Sequence, residues 1–182
     1  MKRLVFALLA VLSCALFVVP EQAVAQVPTA DSLMGDHCYP LGFSDLKPGA
    51  SATTPTGANL TNAGTKSSPN IGYGYCDGCG THEPHNIIIV PAGGVLGGSG
   101  LGPTDNIVTG DDVVADLTGN GMDIDVLGDN GDIIVNGNNN DIDFMPPASG
   151  NDLALTGNNN DVDLNGTNNH VNSTGSGNTI HN

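Results

Sequence analysis

The run DIDVLGDNGDIIVNGNNNDIDF, residues 123–144, decides the fold. Its apolar residues come in pairs two apart, Ile124/Val126, Ile133/Val135 and Ile142/Phe144, and successive pairs are nine residues apart. Side chains two apart on a strand share a face, so each pair is the inward side of a short strand. The same pair appears upstream at Ala115/Leu117 and downstream at Leu153/Leu155 and Val162/Leu164, then fades to the single residues Val171 and Ile180. One step is eleven instead of nine. It contains Met145-Pro146-Pro147, an insertion in a turn that leaves the strand pattern intact. A fixed period of this length predicts a solenoid.

Aligned on the first apolar residue, the units read apolar-x-apolar-x-Gly-x-(Asn/Gly)-Asn-Asp. Four positions after each start sits Gly119, Gly128, Gly137, Gly157, Gly166 or Gly175, with Pro146 the one departure. Three positions before a start sits Gly121, Asn130, Asn139, Gly150, Asn159, Asn168 or Gly177. Gly and Asn accept positive φ, so both columns are read as turn positions between strands.

A second period lies on top of the first. Asp-apolar-Asp occurs at Asp123-Ile124-Asp125, Asp141-Ile142-Asp143 and Asp161-Val162-Asp163, in every other unit. The units between lack the second acid, so two unlike faces alternate along the chain. The expectation is an all-β fold, a flattened parallel β-solenoid with about 18 residues and two strands per coil, one face bearing a double column of carboxylates. About four such coils can be counted. Their few apolar side chains cannot alone offset the ordering of the backbone. The remainder is expected from parallel ladders between coils and from stacked asparagines such as Asn140, Asn160 and Asn178.

Upstream the pattern changes. Lys2-Arg3, an apolar run from Leu4 to Val19, Pro20 and Ala23-Val24-Ala25 have the order of a secretory signal peptide, so residues 1–25 are excluded from the fold and the chain is expected to be secreted, extracellular or at the cell surface. Residues 26–70 carry Gly, Ala, Ser, Thr, Asn and Pro in no period and are expected to be a flexible arm or linker, its densest patch running from Leu33 to Phe43. Residues 71–104 hold an irregular Cys/His loop and the run Ile87-Ile88-Ile89-Val90, closed by Pro91, which reads as a strand buried on both faces. The repeats occupy 105–182.

The chain carries a formal charge of −15. Beyond the leader only Lys47 and Lys66 stand against all but one of its nineteen acidic residues. That excludes nucleic acid and anionic membrane surfaces as partners, and the mature chain has no membrane span. Divalent cations are the expected partners, with calcium bridging Asp123, Asp125, Asp141, Asp143, Asp161 and Asp163 across the acidic face. A second candidate centre is Cys76, Cys79, His82 and His85, a C-x2-C-x2-H-x2-H spacing that suits zinc or a similar ion. The same cysteines admit another reading, a disulfide among Cys38, Cys76 and Cys79 with one thiol left over for a second chain.

The nonapeptide period, coil length, acidity and leader resemble the secreted calcium-binding β-roll proteins of the RTX kind over residues 106–182. In the RTX motif, G-G-x-G-x-D-x-U-x, the Asp stands two residues before the apolar position, whereas Asp132, Asp141 and Asp161 immediately precede it. The calcium sites of that family's turns are therefore not carried over. The pattern is closer to bacterial exported Asn/Gly-rich β-solenoid repeat proteins, a resemblance that implies the fold and no activity.

The expected function is non-enzymatic and structural. The sequence stops in mid-repeat at Thr179-Ile180-His181-Asn182, and an uncapped last coil is expected to accept another copy, head to tail, in an extracellular fibre, sheath or matrix. A monomeric adhesin, a calcium-binding β-roll-like protein and a metal-binding protein using the Cys/His cluster are the alternatives. Catalysis is not expected: there is no arginine after Arg3, no tryptophan, and no one pair among the many aspartates is set apart as acid and base.

Overall fold

The structure is a computed structural model that describes residues 43–76 and 85–182. Among these residues there is no helix, and so none long and apolar enough to cross a membrane. The described chain begins with β1 (Phe43–Leu46), β2 (Ser51–Thr53), β3 (Asn59–Asn62) and β4 (Ile71–Cys76). Strands then alternate between two sheets. Sheet A takes β5 (His85–Val90), sheet B takes β6 (Val95–Leu101), and the alternation continues through β7 (Asp105–Thr109), β8 (Val114–Gly119), β9 (Asp123–Val126) and β10 (Asp132–Asn136). It runs on through β11 (Asp141–Phe144), β12 (Asp152–Thr156), β13 (Asp161–Leu164), β14 (His170–Thr174) and β15 (Thr179–His181).

Every pairing among β5 to β15 is parallel, so this part of the chain is the expected β-solenoid with two strands per coil. The register locks apolar onto apolar: Ile107, Ile124, Ile142 and Val162 stack in sheet A, and Ala115, Ile133, Leu153 and Val171 in sheet B. The two inner faces meet in one core in which Phe144, Ile124, Ile133 and Ile142 are fully buried. The Met145-Pro146-Pro147 insertion is confined to a corner, and β11–β13 and β10–β12 pair across it in register.

Two expectations are corrected. The solenoid starts before residue 105, because β5 and β6 already form a parallel coil under β7 and β8, which makes five coils from β5–β6 to β13–β14. Residues 43–70 are not an arm: β4 pairs antiparallel with β5 and with β1, and β3 pairs antiparallel with β6 and with β2. Leu46, Ala58, Leu60 and Ile71 enter the core from these strands. An antiparallel cap needs no period, since its partners are set by long-range pairing, and three- and four-residue strands rich in Ser, Thr and Asn give little alternation to read. Residues 1–42, with the expected signal peptide at 1–25, lie outside the described residues.

The two turn columns do different work. Gly121, Asn130, Asn139, Gly150, Asn159, Asn168 and Gly177 all have φ between 55° and 74°, as expected for left-handed corner residues. The other column is one of close approach: a Cβ on Gly137 would fall onto the carbonyl oxygen of Gly119, and one on Gly157 onto that of Gly137. Glycine is required there because coils stack backbone to backbone at the corner.

The corners are held by asparagines. The Asn140 side-chain oxygen accepts from the Met122 amide at 2.9 Å, that of Asn160 from the Asn140 amide at 2.9 Å, and that of Asn178 from the Asn160 amide at 3.0 Å. The carboxamide nitrogens donate back to corner carbonyls, Asn160 to Gly137 at 3.1 Å and Asn178 to Gly157 at 3.0 Å. At the opposite edge Asn151 accepts from the Gly131 amide and donates to the Gly128 carbonyl, and Asn169 does the same one coil on. Asn140, Asn151 and Asn160 are buried. Replacing Asn160 by Ala leaves the buried Asn140 amide and Gly137 carbonyl unpaired, a loss of about 2 to 4 kcal/mol. Asn138→Ala, in an exposed column with the same spacing, should cost less than about 1 kcal/mol. Chemical denaturation of the two variants checks this; equal losses would mean that the buried ladder is not what holds the coils.

Candidate functional site

The 18-residue coil brings the three Asp-apolar-Asp units together. Asp123, Asp141 and Asp161 are register partners on β9, β11 and β13, as are Asp125, Asp143 and Asp163. The apolar residue between each pair points inward, so all six carboxylates point outward from sheet A. They form a two-by-three lattice with about 4.8 Å between strands and about 7 Å along each strand. The lattice is flanked on both sides by nitrogen-bearing side chains. Asn106 on β7 donates to Asp123 at 2.8 Å, and His181 on β15 approaches Asp161 Oδ1 at 3.1 Å through Nε2.

Like charges this close oppose one another's ionisation. The Asp125 carboxyl is pushed up from 3.8 to about 6, first by burial and then by the charges of Asp123, Asp143 and Asp141. Asp141 is also raised, by burial, then by Asp123, Asp161 and Asp163, with a hydrogen bond from the Ile142 amide acting the other way. Asp143 is raised by burial and then by Asp141 and its other neighbours.

Sheet B carries a thinner version. Asp132 and Asp152 stack in one outward column, His170 follows with Nδ1 3.6 Å from Asp152, and beside them stand the exposed Ile134 and Val114. His170 and His181 were not singled out from the sequence. The 18-residue step would have found them: His170 follows Asp152, and His181 follows Asp163, by one coil.

The other candidate centre is only partly placed. Cys76 and His85 are register partners where β4 meets β5, which brings the first and last members of the C-x2-C-x2-H-x2-H run opposite each other on the backbone ladder. Cys38, Cys79 and His82 lie outside the described residues. Among the described residues no three His, Cys, Asp or Glu side chains converge to enclose a single ion. A divalent cation on the lattice would therefore sit between neighbouring carboxylates, with water or a partner's oxygens filling its shell. No family model matches this chain, and neither does a curated protein or a solved structure.

The raised carboxyls set a pH dependence. Because the folded-state pKa of Asp125 lies above its unfolded value of 3.8, its favourable contribution is complete below about 4 and is lost as pH rises through about 6. The protein should therefore melt at a higher temperature at pH 4.5 than at pH 7.5. Asp125→Asn should flatten that slope by about 1 kcal/mol after allowance for solvent screening. Thermal denaturation across this range measures it, and a melting temperature that instead falls on acidification to pH 4.5 would contradict the electrostatic account.

Proposed function

We propose that this chain is an exported, non-enzymatic structural solenoid of an extracellular sheath or matrix, whose sheet A face binds divalent cations, calcium foremost. One observation carries the reading: three successive coils hold six aspartates in two registered columns on one outward face. A repeat that stabilised only the fold would be served by any polar residue at those positions. Here each added coil adds a pair of charges that repel the pair before it, by roughly 1 kcal/mol per neighbouring contact even in water. A doubly charged ion between adjacent carboxylates turns that repulsion into attraction and links coil to coil. With its outer coordination open, it also links the face to another anionic surface, including a second copy of the chain. Residues 1–25 support the export part of the proposal.

End-to-end assembly is a second reading with an observation of its own. Strand β1 is antiparallel to β4, which is antiparallel to β5, so β1 runs in the direction of the sheet A coils. Strand β2 is likewise parallel to the sheet B coils through β3 and β6. Among the described residues the outermost strands are β1 and β2 at one end of the sheets and β15 and β14 at the other. A head-to-tail contact would thus continue both sheets in parallel, without reversal of direction.

Saturating calcium should raise stability by about 1 to 3 kcal/mol, a shift of a few degrees in melting temperature. Asp141→Asn combined with Asp143→Asn should abolish most of that shift while raising the stability of the calcium-free protein. If chelation leaves the melting temperature of the parent protein unchanged, bridging calcium is wrong. Sedimentation with and without calcium separates the two modes of association. Polymers that persist in chelator and in the double variant support end-to-end pairing, whereas a concentrated monomer under both conditions removes it.

A further inference from the structure

The outer face of sheet B holds a notch. On β6, Leu96 and Gly98 face the core, so Gly97 and Ser99 face outward. Their register partners are Thr61 and Asn59 on β3, and Asp116 and Thr118 on β8. These six residues line a space of about 300 Å³ whose floor is the backbone of β6. Asn59, Ser99, Asp116 and Thr118 are exposed, so the notch is open to a ligand.

Gly97 makes the notch, and the fold does not require a glycine there. It sits in extended backbone, outside the left-handed region, and a Cβ on it would meet nothing closer than the Thr61 carbonyl oxygen at 3.8 Å. Its neighbour Gly98 has a packing reason, since a Cβ there would come within 2.7 Å of Leu101. A glycine in mid-strand gives up strand propensity and side-chain packing. Where no contact demands it, such a glycine marks a place where something else comes close to the backbone.

The walls narrow down what that is. Among the described residues, none that lines the notch is aromatic, aliphatic or basic. An apolar ligand would bury these polar groups unpaired, and an anion would meet Asp116. The Thr53 hydroxyl donates to Asn59 Oδ1 at 3.0 Å, which leaves the Asn59 NH2 group to donate elsewhere. Asp116 can only accept, and Ser99 and Thr118 can do both. The matching ligand is uncharged and presents several groups that donate and accept at close spacing. Sugar hydroxyls do this, and neighbouring ones can share the two oxygens of one carboxylate. The volume lies at the low end for small-molecule sites, room for a single ring laid on the bare backbone of Gly97.

We propose that the notch is a carbohydrate site that takes one residue of a neutral polysaccharide, its hydroxyl groups held by Asn59 and Asp116 on either side of β6. Beyond the notch the row of Ser99 and Thr118 continues in register through Asn136, Thr156 and Thr174. Each coil thus adds one uncharged hydrogen-bonding side chain, at intervals of about 4.8 Å. A polymer seated in the notch finds further partners along this row, which a free monosaccharide cannot reach. The site lies on the sheet opposite the acidic lattice and needs no cation, so it stands or falls separately from calcium binding.

Native electrophoresis of the full chain, in chelator, through gels containing a β-glucan, a mannan, a galactan or a xylan tests the site. At least one polysaccharide should retard the protein, and Asp116→Asn should weaken that retardation several-fold. Gly97→Val fills the notch and should weaken it roughly tenfold or more. The same variant should melt at an unchanged or higher temperature, because valine suits an outward strand position better than glycine. Should the branched side chain disturb the sheet, Gly97→Ala reports the stability and Asp116→Asn the binding. A protein that no polysaccharide retards overturns the proposal. So does retardation that neither Asp116→Asn nor Gly97→Val reduces, or a melting temperature lowered by Gly97→Ala, which would make the glycine structural. A dimer in sedimentation that Gly97→Val abolishes also overturns it, since the occupant would then be a second copy of the chain.

Discussion

Backbone groups at a buried corner must find partners, and in this protein those that the backbone of the next coil does not meet are met by an asparagine side chain from that coil. A strand-to-strand ladder satisfies the backbone only along the strands. At the corners the left-handed residues keep a backbone bond to the next coil, as Asn130 does to Ser149 and Asn139 to Asn158, while the amides of Met122, Gly131 and Asn140 leave the ladder. Asn140, Asn151 and Asn160 reach to the coil before, accept from an amide and donate to a carbonyl, and so carry the hydrogen bonding around the bend. A carboxamide can do both at once because it has an acceptor and two donors on one rigid plane. Apolar burial gives the coil its inside; the asparagines give it a fixed register.

Fixed register is what turns a repeated sequence into a surface. Coils that could slip by one residue would send each apolar side chain outward and each aspartate inward. With slippage blocked at both corners, residues one coil apart stand side by side whether or not they attract. The six aspartates are the case where they do not. Their mutual repulsion and the partial burial of Asp125 are borne by the ladders and the core, in the way that functional surfaces commonly carry strain held by the rest of a fold.

The repeat half of the molecule was legible in the sequence because its contacts recur at one separation. Strand, corner and the alternation of faces all follow from where Ile124, Asn130 and Asp123 have their counterparts 9 or 18 residues on. Even Ile87 to Val90 could be read as buried on two sides. The cap was not legible: Ala52, Leu60 and Gly98 meet through pairings that nothing in the local pattern announces. The two glycine columns also looked alike on paper. Gly121 is there for its φ and Gly137 for the carbonyl pressed against it, a difference set by the neighbouring coil and not by the turn itself. The histidines were overlooked for a simpler reason, since they take the place of an aspartate partner only in the last coils.

The alternation of the two faces also bears on how such a chain can change its length. Nine residues make a strand and a corner, but they carry the chain only from one sheet to the other. If a single nonapeptide were duplicated or lost, the core would still close, yet every aspartate pair beyond that point would be turned to the opposite side and the lattice would be cut in two. Only an exchange of a whole coil lengthens the protein and keeps its charge pattern continuous. The heritable module is therefore twice the repeat that the eye first finds, and the two residues accommodated at Pro146 and Pro147 show that the corner, not the strand, is where such exchanges leave the least trace.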